Sequence, residues 1–295
     1  MILITGANGF IGYYLTGLLL KKGFTVLATG KGSCRLPFSD ISGFIYEEMD
    51  FTDPFSVHDI FEKHKPSVVV HAGAMSKPDE CELDQWKCYV TNVEGTLNML
   101  ANAEEIKSFF VFISTDFVFD GERGGYTEED MPNPVSFYGR SKADAEDAVK
   151  EYQSGWSIVR PVLVYGKPAT GKQNILTIVK DKLDKGELYR VVDDQVRTPT
   201  YVEDLVAGIV AIIEKKSNGI FHLSGKDVLT PYQMAIAVAD YFKLSKSNLG
   251  KATAADFSQP AKRPPKTSFI LDKARKELNY NPLSFTEGLR KTFEE

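Results

Sequence analysis

Cysteine is scarce. Cys34, Cys81 and Cys88 are an odd three in a chain of 295, with no C-x-x-C spacing, which excludes a disulfide framework and gives no zinc site. The four histidines, His58, His64, His71 and His222, show no ligand spacing either, so the sequence offers no metal. Positive charge is also short. Thirty-five Lys and Arg stand against 40 Asp and Glu, a net charge of -5, whereas a nucleic-acid surface needs a net or locally dense basic face. No apolar run reaches the roughly 18 residues of a membrane helix, and no basic leader precedes the first strand. These absences predict a cytoplasmic protein without membrane or nucleic-acid partners. What is present is ordinary globular material, 43% hydrophobic and 25% charged, enough for one large α/β domain with an appended lobe or for two domains.

The chain is organised around its start. Residues 2–4 are wholly apolar, the pattern of a strand buried on both faces of a parallel sheet. Gly6, Gly9 and Gly12 follow at three-residue spacing, and Ile11, Tyr14, Leu15, Leu18 and Leu19 make one helical stripe behind them. A turn leaving the strand, close approach of backbone to a pyrophosphate and tight packing of the next helix each favour a residue without Cβ. Strand, turn and helix together predict a dinucleotide with its phosphates at the helix N-terminus, although the spacing is G-x-x-G-x-x-G and not the commoner G-x-G-x-x-G.

A second strand over 24–28 ends at Thr29-Gly30-Lys31. An acid there would hold the ribose hydroxyls of NAD, but none appears before Asp40, and the nearby cations Lys31 and Arg35 predict NADP. After a third strand at 45–49, Asp50 is a candidate acceptor for the adenine amino group, while Thr52 or Asp53 can cap the helix beginning at Pro54. A fourth strand at 67–70 runs through His71, read as structural, into Ala72-Gly73-Ala74, small enough for a flat cofactor to lie against the backbone. One long amphipathic helix is predicted over 84–106.

A fifth strand, Phe109–Ile113, ends at Ser114-Thr115-Asp116, where side chains face the ligand crevice. Tyr138 and Lys142, at i and i+4 on a helix over 136–153, share a face. With 13 tyrosines in the chain, such a pair arises by chance about once. Its weight comes from position, directly after the strand that ends in Thr115. A hydroxyl, a phenol and an ammonium then meet at one crevice mouth, and the ammonium favours the phenolate. Beyond a sixth strand at 156–160 the regular alternation weakens, and Lys167, Lys172, Arg190, Arg197, Lys262, Arg263 and Lys266 gather as a candidate anion site for a substrate phosphate.

The order of these motifs resembles the extended short-chain dehydrogenase/reductase family, and within it the dTDP-4-dehydrorhamnose reductases, over nearly the whole chain. The resemblance is carried by Gly6-Ala7-Asn8-Gly9-Phe10-Ile11-Gly12, Asp50-Phe51-Thr52-Asp53, His71-Ala72-Gly73-Ala74, Ser114-Thr115-Asp116-Phe117-Val118-Phe119, Tyr138-Gly139-Arg140-Ser141-Lys142, Arg160-Pro161, Val164-Tyr165-Gly166, and Asp194-Gln195 with Thr198-Pro199-Thr200. It implies an α/β fold, with a Rossmann-like doubly wound parallel sheet over 1–165 and a smaller α/β C-terminal substrate lobe over 166–295, the chain free to cross between the two.

The same resemblance implies catalysis by Thr115, Tyr138 and Lys142. It implies NADPH, with NADH as the alternative, contacted by Gly6, Asn8, Gly9, Phe10, Ile11, Gly12, Lys31, Arg35, Asp50, Phe51, Ala72, Gly73, Ala74, Asn92, Tyr138, Lys142 and Pro161. A nucleotide sugar bearing a 4-keto group would meet Thr115, Asp116, Phe117, Leu163, Asn174, Arg197 and Arg263, and the family leaves room for a homodimer. Phe117 stands where the reductases commonly carry tyrosine, and where the related 4,6-dehydratases carry the Glu that follows Thr-Asp; Leu163 stands where the reductases can carry tryptophan. An epimerase, which must hold NAD tightly, is disfavoured by the missing acid. The regulatory β subunit of methionine adenosyltransferase has similar stretches around Val118-Phe119-Asp120-Gly121, Glu128-Glu129-Asp130 and Phe221-His222, and binding NADP in a partner role is the non-enzymatic alternative.

Overall fold

The computed structural model describes residues 1–168 and 173–294; Lys172 lies outside them. The first half alternates strands and helices: β1 (Ile2–Thr5), α1 (Phe10–Lys21), β2 (Val26–Gly30), β3 (Phe44–Glu48), α2 (Pro54–His64), β4 (Val68–His71), α3 (Pro78–Leu83), α4 (Gln85–Tyr89), α5 (Gly95–Glu105), β5 (Phe109–Ile113), α6 (Phe137–Lys150) and β6 (Trp156–Arg160). The second half holds β7 (Val164–Tyr165), α7 (Ile175–Asp184), β8 (Tyr189–Val192), β9 (Val196–Arg197), β10 (Thr200–Tyr201), α8 (Val202–Lys215), β11 (Gly219–His222), α9 (Pro231–Phe242), β12 (Leu249–Ala252), β13 (Lys266–Thr267), α10 (Asp272–Leu278) and α11 (Phe285–Phe293).

Seven parallel strands form the main sheet in the order β11-β6-β5-β4-β1-β2-β3. Strand order reverses between β1 and β4, the switch point at which open α/β sheets bind ligands. Both faces are covered, which is why its strands read as unbroken apolar runs. Ile2, Ile4, Val70 and Val111 face the side packed by α1 and α8, while Leu3, Val69, Phe110 and Phe112 face the side packed by α2, α5 and α6. From residue 164 the chain builds three two-stranded parallel pairs, β7 with β10, β8 with β12 and β9 with β13, yet β11 returns to the edge of the main sheet. A separate core lies among α7, α9 and α11, with Leu176, Val179, Val238, Phe285 and Leu289 buried.

The single helix expected over 84–106 forms as one helical run over 85–105 that contains a π-helical turn. Asp84, with φ -133 and ψ 75, is its N-cap, the carboxylate accepting the Lys87 N–H, and Val90–Glu94 is a π-helical turn that joins α4 to α5. Apolar periodicity does not register either event, because one is a local cap and the other a widened turn, a feature frequent at functional sites.

Candidate active site

The glycine-rich turn is shaped by contact. At Gly6, with φ +65, a Cβ would stand 2.8 Å from the backbone N of Gly73, and at Gly12 one would stand 2.5 Å from the Gly6 carbonyl oxygen. The end of β1, the segment after β4 and the start of α1 are thereby brought against one another. The N-cap Gly9 offers no side chain to α1, so the first N–H groups of the helix remain available to an anion. Thr5 braces the other wall: its Oγ1 accepts the Ala72 and Gly73 N–H groups at 3.1 and 3.0 Å and reaches His71 Nδ1 at 2.7 Å. With both N–H groups as donors to Thr5, the hydroxyl proton goes to Nδ1 and the imidazole proton to Nε2. Burial, aided by the Lys142 charge, pulls the His71 pKa down to about 3 and keeps the ring neutral.

These walls enclose a cavity of about 640 Å³. Into it face the turn residues Gly6, Asn8, Gly9, Phe10, Ile11 and Gly12, the segment Ala72-Gly73-Ala74, and Lys31 and Arg35 at one end. Thr115, Asp116, Phe117, Tyr138, Lys142, Pro161 and Leu163 line the other end. Phe51 lines an adjoining cavity of about 300 Å³ that shares Gly6, Gly30, Lys31, Gly73 and Ala74 with the first.

Thr115 follows β5 and accepts the Phe117 N–H at 3.2 Å, which holds a short helical turn, and its hydroxyl stands near enough to the Tyr138 phenol to favour its ionised form. Ser136 caps α6 by accepting the Gly139 N–H at 3.2 Å. At Gly139 a Cβ would fall 2.1 Å from the Phe117 carbonyl oxygen, so this glycine lets the helix close on the loop and set Tyr138 against Phe117, ring centroids 5.6 Å apart. Burial pushes the Tyr138 phenol up, opposed by the Thr115 hydroxyl and reinforced by Asp116. This reverses the expectation of a favoured phenolate: the loss of solvent sets the direction, with Asp116, Cys81 and Cys88 acting in the same sense. Lys142 is itself 1% exposed, with Nζ 3.9 Å from the centroid of the Phe112 ring, and desolvation lowers its pKa to about 7 against the pull of Glu146.

Asp116 is buried and pushed up by desolvation, while Arg197 and its bonds from Thr267 and Thr115 act in the opposite direction. Leu163, at the sugar end by resemblance, is 39% exposed and holds φ +35, the left-handed region that a branched side chain rarely adopts.

Several expected contacts do not face either cavity, because their polar atoms are already engaged. Asp50 takes the Lys31 ammonium at 2.8 Å and the Thr52 N–H and hydroxyl at 2.9 and 2.6 Å. Asn92 braces the segment before α3, bonding Met75 N at 2.8 Å, Met75 O at 3.1 Å and Ser141 Oγ at 3.0 Å. Asn174 caps α7 and donates to the Gly166 carbonyl at 2.6 Å. Arg197 is spent on the carbonyls of Val196, Pro264 and Pro265. Arg263 is paired with Asp79 at 2.7 and 2.6 Å and lines a different cavity with Gln195 and Lys262. Of the other basic residues, Arg190 pairs with Asp256 at 3.2 Å. Arg190, Arg197 and Arg263, each so engaged, do not line the main cavity.

The residue-level reading missed Ser76 and Pro78 on the cavity wall, and also Glu146. The signal for Glu146 was present: it continues the Tyr138, Lys142 spacing by one more turn, an acid on a face otherwise buried.

A family described as RmlD substrate binding domain matches residues 1–295. The chain belongs to that family. Among curated relatives of this RmlD-family chain, methionine adenosyltransferase 2 subunit beta of Rattus norvegicus is 32% identical over 85% of this chain and 75% of its own length. The spore coat polysaccharide biosynthesis protein SpsK of Bacillus subtilis (strain 168) is 30% identical over 100% of this chain and 97% of its own. A dTDP-4-dehydrorhamnose reductase from Bacillus anthracis str. Ames, solved in complex with NADP, superposes with a TM-score of 0.86 at 28% identity, covering 99% of this chain and 98% of that one. The extended short-chain dehydrogenase/reductase fold read from the motifs is the fold of this RmlD-family protein, and among the described residues no helix is long and apolar enough to cross a membrane.

Proposed function

We propose that the protein reduces the 4-keto group of a nucleotide sugar with NADPH, dTDP-4-dehydrorhamnose being the substrate that the relatives favour. One observation carries the proposal: Thr115, Tyr138 and Lys142 border the same cavity as the uncapped N-terminus of α1. The cradle suits a dinucleotide, since Gly6 and Gly12 leave backbone where a Cβ would clash, and the cavity extends from there to Arg35. On this reading residues 1–165 hold the cofactor and residues 166–295 supply most of the sugar lobe.

The pyrophosphate would lie on the α1 N–H groups, and the 2′-phosphate would meet Arg35, which makes no ion pair among the described residues, whereas Lys31 is engaged by Asp50. When bound, the nicotinamide supplies hydride to the carbonyl carbon. Thr115 holds the carbonyl oxygen as charge develops on it, and Tyr138, kept protonated at neutral pH by its burial, gives that oxygen a proton. Lys142, poised near pH 7, returns a proton to the tyrosine. Phe117 neither gives nor takes a proton, so of the Asp-Glu pair that serves the related dehydratases only Asp116 is offered.

The test is product mass after incubation with NADPH and a dTDP-4-keto-6-deoxy sugar, beside dTDP-glucose. A product two hydrogens heavier than the keto sugar supports reduction; loss of water from dTDP-glucose without net cofactor consumption overturns it. A second reading, a nucleotide-binding regulatory subunit, draws on the 32% identity to methionine adenosyltransferase 2 subunit beta. Retained NADPH binding without turnover of any sugar nucleotide would favour it.

A further inference from the structure

The segment after β2 is held from inside the phosphate-binding turn. Asn8, 5% exposed, stands between Gly6 and Gly9, and its amide reaches across to this segment. Its Oδ1 accepts the Arg35 N–H at 2.9 Å, while Nδ2 donates to the Ser33 carbonyl at 3.2 Å and to the Tyr46 hydroxyl at 2.9 Å. Tyr46, on β3, donates onward to the Gly32 carbonyl at 2.6 Å, and the Gly32 N–H is taken by Glu48 at 2.9 Å. The end of β2 leaves room for this clamp: a Cβ on Gly30 would stand 3.2 Å from Asn8 Nδ2 and 3.4 Å from the Tyr46 hydroxyl. The backbone of residues 32–35 is thus fixed at three points, and the guanidinium that it carries borders the cavity.

We propose that Asn8 and Tyr46 are positioning residues for cofactor selectivity, fixing the 32–35 backbone so that Arg35 meets the 2′-phosphate of NADPH. The inference rests on the NADPH reading above and adds the device that makes a surface arginine selective. A long exposed side chain on a loose loop loses much of its charge-assisted bond to the ordering of loop and rotamers; a clamped backbone removes the loop's share before binding. NADH has no phosphate to place there. Loosening the clamp at Tyr46, which borders neither cavity, therefore weakens NADPH and leaves NADH largely alone, whereas a merely structural role would weaken both alike.

The experiment is calorimetric titration of wild type, Tyr46→Phe and Asn8→Ala with NADPH and NADH, and with adenosine 2′,5′-bisphosphate and 5′-AMP as probes of the adenosine half. Tyr46→Phe deletes one donor and one acceptor, so the NADPH-over-NADH affinity ratio should fall about three- to tenfold, and the bisphosphate-over-AMP ratio with it. Circular dichroism checks the fold; if Tyr46→Phe does not fold, Asn8→Ala, which as a cavity residue lowers both affinities, carries the test through their ratio alone. Wild type that prefers NADPH beside variants that keep the preference overturns the inference and leaves the NADPH reading standing. Wild type that binds both cofactors equally overturns the NADPH reading, and the inference with it.

Discussion

Glu146 and Arg160 form a two-pronged ion pair, Nε to Oε1 at 2.9 Å and Nη2 to Oε2 at 2.6 Å, with neither side chain reaching solvent. Ser114, immediately before Thr115, donates to the same carboxylate at 2.5 Å, and Arg160 reaches His222 Nε2 at 3.4 Å. The pair therefore fastens α6, with Tyr138 and Lys142 on its buried face, to the ends of β5 and β6. Two charges out of water are held there by each other and by their hydrogen bonds, so removing one strands the other.

Glu146→Gln should accordingly cost about 3–5 kcal/mol of stability, read from urea unfolding. The double variant Glu146→Gln/Arg160→Met should recover most of that loss, because it removes the stranded charge as well. If the single variant costs less than about 1 kcal/mol, the pair is not what fastens the helix.

Tyr138→Phe should lower turnover by about 10²- to 10⁴-fold while NADPH affinity stays within about threefold of wild type, since only the proton donor is removed. Stopped-flow kinetics and a fluorescence titration read the two quantities separately. Full activity in the variant would remove Tyr138 from the chemistry.

Leu163→Gly tests the strained turn at the cavity mouth. The left-handed conformation costs a branched residue about 1–2 kcal/mol, which glycine does not incur, although glycine loses about 0.5–1 kcal/mol through its freer unfolded chain. Because Leu163 is only partly buried, little packing is lost, and the melting temperature should hold or rise slightly. The same change should raise the KM for the sugar nucleotide if the side chain touches it. A large fall in melting temperature would show that the leucine is held by packing.

The centre of the sheet was legible because its strands are buried on both faces, so that 109–113 stands out as an apolar block with its true limits. The order of Thr115, Tyr138 and Lys142 was legible for a related reason, since the carboxyl ends of parallel strands point to one edge. Arg197 and Arg263 were misplaced as candidates because their partners lie far off in sequence. The carbonyls of Pro264 and Pro265 and the carboxylate of Asp79 are invisible to a reading of local charge. Asn92 failed similarly, its amide being consumed by Met75 and Ser141 across the fold. The Asn8 to Tyr46 contact joins the first turn to the third strand, a distance that no spacing rule spans.

Lys142 ties stability to pH in a window that urea unfolding can reach. Its pKa falls from 10.5 to about 7 on folding, with burial as the cause. Between those two values the unfolded chain binds a proton that the folded chain does not, so stability should rise with pH across that window, by at most about 1.4 kcal/mol per pH unit from this group. Below pH 7 both states carry the charge, and the folded protein bears the whole penalty of burying it. Lys142→Met removes the charge and keeps most of the volume. The variant should be more stable than wild type at pH 6, and its advantage should shrink steadily as pH is raised from 7 to 10. Urea unfolding of both proteins at pH 6, 8 and 9.5 measures the difference. A difference that does not change with pH would mean that the ammonium is solvated in the folded protein, and Lys142 would then titrate far above the range in which it can return a proton to Tyr138.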